Sequence, residues 1–167
     1  EFNPFHNGHK YLIEKAKELT RADLAVCIIS GAFTQAGNIS VQSKFDRAKS
    51  AIENGFDVVI ELPTIYATSS SEYFAFGALN ILNSLGCIDY LCFGSETGNT
   101  DSLISIATKL LNNNDKMWEL ITQELRSGIS FAVAREKAIS TFLTEDEVKI
   151  SNSSNNILAV QYIKTLM

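Results

Sequence analysis

A chain of 167 residues has room for one sizeable core and too little for two. Apolar residues at 46% and charged residues at 20% are globular proportions and exclude a disordered or fibrous chain. The net charge of −5 argues against a broad nucleic-acid-binding face, which needs a basic footprint. No apolar run is long enough to span a bilayer and no signal peptide opens the chain, so a cytoplasmic protein without a membrane partner is expected. Cys27, Cys87 and Cys92 form no C-x-x-C, and two sit in apolar runs, so buried reduced thiols are expected.

The chain opens Glu1-Phe2-Asn3-Pro4-Phe5-His6-Asn7-Gly8-His9. Pro4 fixes its own φ and keeps Asn3 extended, so no helix begins there. Beyond Gly8, Leu12, Ala16 and Leu19 recur at helical spacing. His6 and His9 straddle the turn into that helix and can face one side. A helix start also offers unpaired N–H groups and a positive dipole end. Two imidazoles, a glycine and those N–H groups suit a phosphate. The alternatives are a chance pair or half of a metal site, and no third ligand follows at ligand spacing, so no metal site is expected.

Asp23–Ser30 is a continuous apolar run of the kind that forms a buried parallel strand. Residues 31–42, with Gly31, Gly37 and Asn38, read as a loop. Ser43 can cap a helix to about Asn54, with Phe45, Ala48 and Ile52 as its apolar stripe. A second strand, Asp57–Leu62, stops at Pro63. A polar loop, Thr64–Ser71, leads into a helix of about Glu72–Leu85. Ile88–Phe93 reads as a third strand. The period is then helical throughout, with Asp101–Asn112, Lys116–Ser127, Phe131–Phe142 and Asn155–Leu166 as candidates. The fold expected is α/β, a Rossmann-like doubly wound parallel sheet with trailing C-terminal helices. In such sheets ligands bind beyond the carboxyl ends of the strands, so loops 31–42, 64–71 and 94–98 would share a rim with the His turn.

Lys44, Arg47 and Lys49 lie on one predicted helix, as a solvated face or a phosphate or RNA contact. Glu61, Glu72 and Glu96 are carboxylates near element ends with no role assignable from sequence. Trp118 and the other aromatic residues are most simply core.

FNPFHNGH resembles the HxGH signature of the nucleotidylyltransferase superfamily. With SGAFTQAGN, VIELP, CFGSE and SNNILAVQYIK in order along the chain, the sequence resembles more narrowly the tRNA(Met) cytidine acetate ligase family. The resemblance implies ATP-dependent activation of acetate to acetyl-adenylate, with release of pyrophosphate. The acetyl group would then pass to the wobble cytidine of elongator tRNA(Met). It implies ATP and acetate as substrates, Mg2+ carried by the phosphates, and tRNA contacts mostly outside these residues. It also implies an apolar strand ahead of Glu1 and a helical region after Met167, with residues 1–167 as the ATP-binding domain.

The residues so implicated are His6 and His9 for phosphate stabilisation. An adenylate-facing turn would run through Glu1, Phe2, Asn3, Pro4, Phe5, His6, Asn7, Gly8, His9, Lys10, Tyr11 and Leu12. Gly94 and Asn155 would be further nucleotide contacts; the sequence alone reads them as a strand-ending glycine and a helix cap. Ala36 replaces the arginine and Ser154 the proline of the family pattern, the first placing acetate or tRNA engagement by its loop in doubt. The rival readings are another HxGH adenylyltransferase acting on a cofactor precursor, and a nucleotide-binding protein without turnover.

Overall fold

The computed structural model describes residues 1–167. They form two compact units, Glu1–Phe93 and Gly94–Met167.

The first unit begins with α1 (Asn7–Thr20), β1 (Val26–Ser30), α2 (Lys44–Glu53) and β2 (Val58–Leu62). The strands are parallel, in register from Val26 opposite Val58 to Ser30 opposite Leu62. α2 is the crossover between them and packs on both. Phe2, Ile13, Cys27, Ile29, Ala51 and Phe56 form the core, with Phe5, Ala25, Ala48 and Val59 at its edge. Burial pushes the Cys27 thiol up to about 12, so it is an inert apolar filler. Cys87 and Cys92 are exposed, contrary to the buried placement expected of them.

Two helices are rotated from their expected faces. Leu19 of α1 is exposed, because it lies about 120° around the helix from the buried Ile13 at 3.6 residues per turn. In α2 the buried residues are Arg47 and Ala51, while Phe45 is 76% exposed and Ile52 is also exposed. Ala51 lets the helix approach the strands closely, and Arg47 finds carbonyl partners at the end of β1. A pattern that scores arginine as polar cannot anticipate that face.

The segment expected as a polar loop holds a single helical turn, α3 (Thr64–Ala67), before α4 (Ser71–Leu85). Ile88–Phe93 is not a strand: the sheet has two members, and a strand exists only where a neighbour takes its hydrogen bonds. Tyr90 in that segment is exposed.

The second unit is helical: α5 (Thr100–Asn112), α6 (Asn114–Arg126), α7 (Phe131–Ser140), α8 (Glu145–Ser151) and α9 (Ser154–Leu166). α5 packs on α9 and α6 on α7. α8 escaped the periodicity reading because it has seven residues, yet Thr144 and Glu147 spell its start as a reciprocal capping box. Trp118, expected in the core, lies 39% exposed beside Phe131, with ring centroids 6.1 Å apart.

Candidate functional site

The opening residues fold around Phe2. Its backbone takes a left-handed φ of 52°, a conformation few bulky residues adopt, and its ring is buried. That ring meets Phe5 at 5.1 Å, His9 at 4.7 Å and Phe56 at 5.6 Å between centroids. The segment is therefore anchored in the core just ahead of the cis Asn3–Pro4 peptide.

His6 is the N-cap of α1 and His9 its third residue, and the two close a capping box with imidazoles in both places. Gly8 N–H donates to His6 Nδ1 at 3.1 Å, and His6 N–H donates to His9 Nδ1 at 3.2 Å. The rings stack with centroids 3.7 Å apart and planes 22° from parallel. A Cβ on Gly8 would press on the His6 ring at 3.0 Å, so this glycine allows the ring to lie on the backbone.

This box fixes the chemistry of both rings. An Nδ1 that accepts a backbone N–H carries no proton, so each neutral ring holds its hydrogen on Nε2. The His9 pKa is lowered to about 4, first by desolvation and then by the neighbouring His6. His9 is therefore a neutral Nε2–H donor at physiological pH. The Gly8 and His9 amides, expected to face a phosphate, are engaged instead: Gly8 with the His6 ring, and His9 with the His6 carbonyl at 2.9 Å. The available donors are the imidazole edges.

The rest of the turn is divided between scaffold and surface. The Glu1 carboxylate accepts from Gln35 N–H at 2.6 Å, and the Asn3 side-chain oxygen from Val41 N–H at 2.7 Å. Gln35 Nε2 donates to the Ser69 carbonyl at 3.4 Å. Loops 31–42 and 64–71 thus share a rim with the His turn, as expected of a parallel sheet. Pro4, Asn7, Lys10 and Tyr11 are exposed, while Phe5 and Leu12 are half-buried. Of the basic residues on α2, Lys44 pairs with Glu61 at 2.5 Å and Lys49 with Glu53 at 3.8 Å. Arg47 is fully buried, neither a solvated face nor a surface contact.

In the second unit Gly94 is exposed, and a Cβ built there meets nothing within 4 Å. Neither packing nor a positive φ demands glycine at this position. Asn155 and Asn156 do not cap α9 with their side chains. The Glu96 carboxylate does, accepting Asn155 N–H at 2.9 Å and Asn156 N–H at 3.0 Å. These bonds, led by the Asn155 amide, hold Glu96 below the usual carboxylate range. Asn156, 1% exposed, returns the contact by accepting from Ser95 Oγ at 2.7 Å and Glu96 N–H at 3.1 Å. Loop 94–98 is thereby clasped to the start of α9, with Asn155 exposed beside it. A carboxylate ahead of a distant helix leaves no local spacing signal, which is why the role of Glu96 could not be read from sequence.

A phosphate-suited His turn at the start of α1 can be set beside known proteins. The profile of the HIGH nucleotidyl transferase family matches residues 1–167. The chain belongs to that family. Among curated HIGH-family relatives, the tRNA(Met) cytidine acetate ligase of Clostridium botulinum (strain Langeland) is 49% identical over all of this chain and 42% of its own length. The enzyme of the same name from Clostridium novyi is 44% identical with the same coverage. A crystal structure of Thermotoga maritima TmcAL bound with alpha-thio ATP aligns with a TM-score of 0.86 at 39% identity, over 99% of this chain and 41% of that one. The chain thus spans about two fifths of the length of the relatives it matches. The α/β fold with a parallel sheet is that of the HIGH nucleotidyl transferases.

Proposed function

We propose that residues 1–167 are the ATP-binding, acetate-activating portion of a tRNA(Met) cytidine acetate ligase. The observation that carries this reading is the His6–His9 box, two stacked imidazoles whose Nδ1 atoms accept backbone N–H groups and whose Nε2 edges are left free to donate at a helix start. The likeness to TmcAL bound with alpha-thio ATP supports ATP as the nucleotide. In the first step an acetate oxygen attacks the α-phosphorus, the bond to the bridging oxygen of the β-phosphate breaks, and pyrophosphate leaves with that electron pair. His6 and His9 would donate to the phosphoryl oxygens where negative charge grows, which positions the triphosphate and stabilises the transition state. In the second step the exocyclic amine of the wobble cytidine attacks the acetyl carbonyl; AMP leaves and the amine gives up a proton.

The donor set around the turn consists of N–H groups, and no cluster of three metal-ligating side chains occurs in the chain. Mg2+ would therefore be held by phosphate oxygens, neutralising part of their charge. Gly94, with open space where a side chain would be, and the exposed Asn155 beside it would face the nucleotide. Regions outside residues 1–167 would supply most of the tRNA contact. No helix here is long and apolar enough to cross a membrane, and an enzyme that modifies tRNA would work in the cytoplasm.

The test is ATP–pyrophosphate exchange by the complete protein with acetate, a phosphopantetheine or a nicotinamide nucleotide as stimulant. Acetate-dependent exchange that disappears in His9→Ala is the expected result. Stimulation by a cofactor precursor alone would move the assignment to another adenylyltransferase, and ATP binding with no exchange at all would leave a non-catalytic binder.

A further inference from the structure

Arg47 is the only charged side chain in the chain that is fully buried, at 0% exposure. Its guanidinium donates to the Glu1 carbonyl at 2.8 Å, the Gln42 carbonyl at 3.3 Å, Ser30 Oγ at 3.4 Å and the Gly31 carbonyl. Every one of these acceptors is neutral. A buried cation with neutral partners bears its desolvation cost without a contacting carboxylate, and packing alone would favour an aliphatic residue. What the guanidinium gains is geometry, because its planar fork reaches three chain segments at once. Those segments are the entry to the His turn, the exit of β1, and the residue before the cap of α2. Glu1 is followed directly by Phe2, whose ring rests on His9 at 4.7 Å.

We propose that Arg47 is a positioning residue for the nucleotide-activating step, holding the entry of the His6–His9 turn at a fixed place on the end of β1. The proposal rests on the acetate-activating reading above and adds a residue to its machinery. Arg47 touches no reacting atom; it acts through the Glu1 carbonyl and the Phe2 ring. A lysine carries the same charge on one nitrogen and cannot bridge three carbonyls on separate segments.

The experiment uses the complete protein with Arg47→Lys, Arg47→Met and, as a packing control, Ala51→Gly on the same buried face of α2. Acetate-dependent exchange kinetics and melting temperature are measured for each. All three should melt lower than wild type. Exchange kcat should fall about ten- to a hundredfold in the Arg47 variants, with the acetate KM within about twofold, as expected for a misplaced donor pair. Ala51→Gly should keep its kcat. Wild-type kcat in Arg47→Lys, or kcat that merely follows melting temperature across all three, overturns the proposal. If Arg47→Met fails to fold, Arg47→Lys carries the test; if both fail, Arg47 is a folding residue and the proposal is lost. Absence of exchange in the wild type would sink the acetate reading instead. Positioning is then read from the imidazole resonances of His6 and His9, which Arg47→Lys must displace and Ala51→Gly must not.

Discussion

His9 has two separable duties in this geometry, and one substitution divides them. Its Nδ1 accepts the His6 N–H at 3.2 Å, and its Nε2–H is the donor assigned to the phosphate. His9→Glu keeps an acceptor at the third helical position, where glutamate closes a capping box, and puts an acidic group in the first turn of α1. The ring contacts with Phe2 and Phe5 are lost, a change of about 1 kcal/mol for aromatic pairs. His9→Ala loses those contacts and the cap together, so it should be less stable by roughly another 1 kcal/mol. Removing one preorganised donor from a developing oxyanion costs about a hundred- to a thousandfold in kcat. Both variants should lose at least that much acetate-dependent pyrophosphate exchange, Glu more than Ala because its charge also repels the nucleotide. Urea unfolding measured on the same samples separates stability from turnover. Exchange by His9→Glu within about tenfold of wild type would refute the assignment, since a carboxylate has no hydrogen to donate.

Three further outcomes follow from the same contacts. His9 has a folded pKa of about 4 against an ordinary 6.5, so the unfolded chain takes up its proton first as pH falls. Its contribution to stability is whole above pH 6.5 and declines towards 4, where the protection of the His6 amide against exchange, relative to an unstructured peptide at the same pH, should fall because a protonated Nδ1 no longer accepts. For Glu96, whose pKa is held below its usual range, stability is present above the unfolded value and lost as pH falls through the lowered one. Glu96→Gln should cost about 1 kcal/mol in unfolding and speed exchange at the Asn155 and Asn156 amides. Gly94→Ala should leave the melting temperature unchanged, because its Cβ meets open space, and should weaken binding of an ATP analogue about tenfold by calorimetry if the nucleotide lies against that backbone. Unaltered affinity would remove Gly94 from the site.

The parts legible in the sequence were those with local signals. The run Val26–Ser30 is a strand because nothing in it breaks an apolar extended segment, and Ser43 caps α2 through the Asp46 N–H at 3.2 Å. Pro4 and Gly8 marked the start of α1 to within two residues. The misreadings came where distant partners decide. Ile88–Phe93 has strand composition, but pairing is a property of neighbours and the sheet has only two members. Arg47 looked like a surface charge because its acceptors, Glu1 and Gly31, lie 46 and 16 residues away. Glu96 looked idle because the helix it caps begins at Ser154.

The His pair was visible as spacing, while its protonation was not, and that difference matters for chemistry. A free imidazole chooses between two tautomers and titrates near neutrality, so a pair of them could act as acid, base or metal ligand. Here the backbone makes the choice. Gly8 N–H and His6 N–H occupy both Nδ1 atoms, and the Phe2 and Phe5 rings shield His9. A ring whose Nδ1 is engaged and whose charged form is disfavoured is a poor proton shuttle and a good fixed donor. Phosphoryl transfer needs little else from a side chain, because most of the work is orientation and charge stabilisation. The helix cap and the proposed phosphate grip are therefore one structure, and a change that repairs one without the other is the sharpest probe of it.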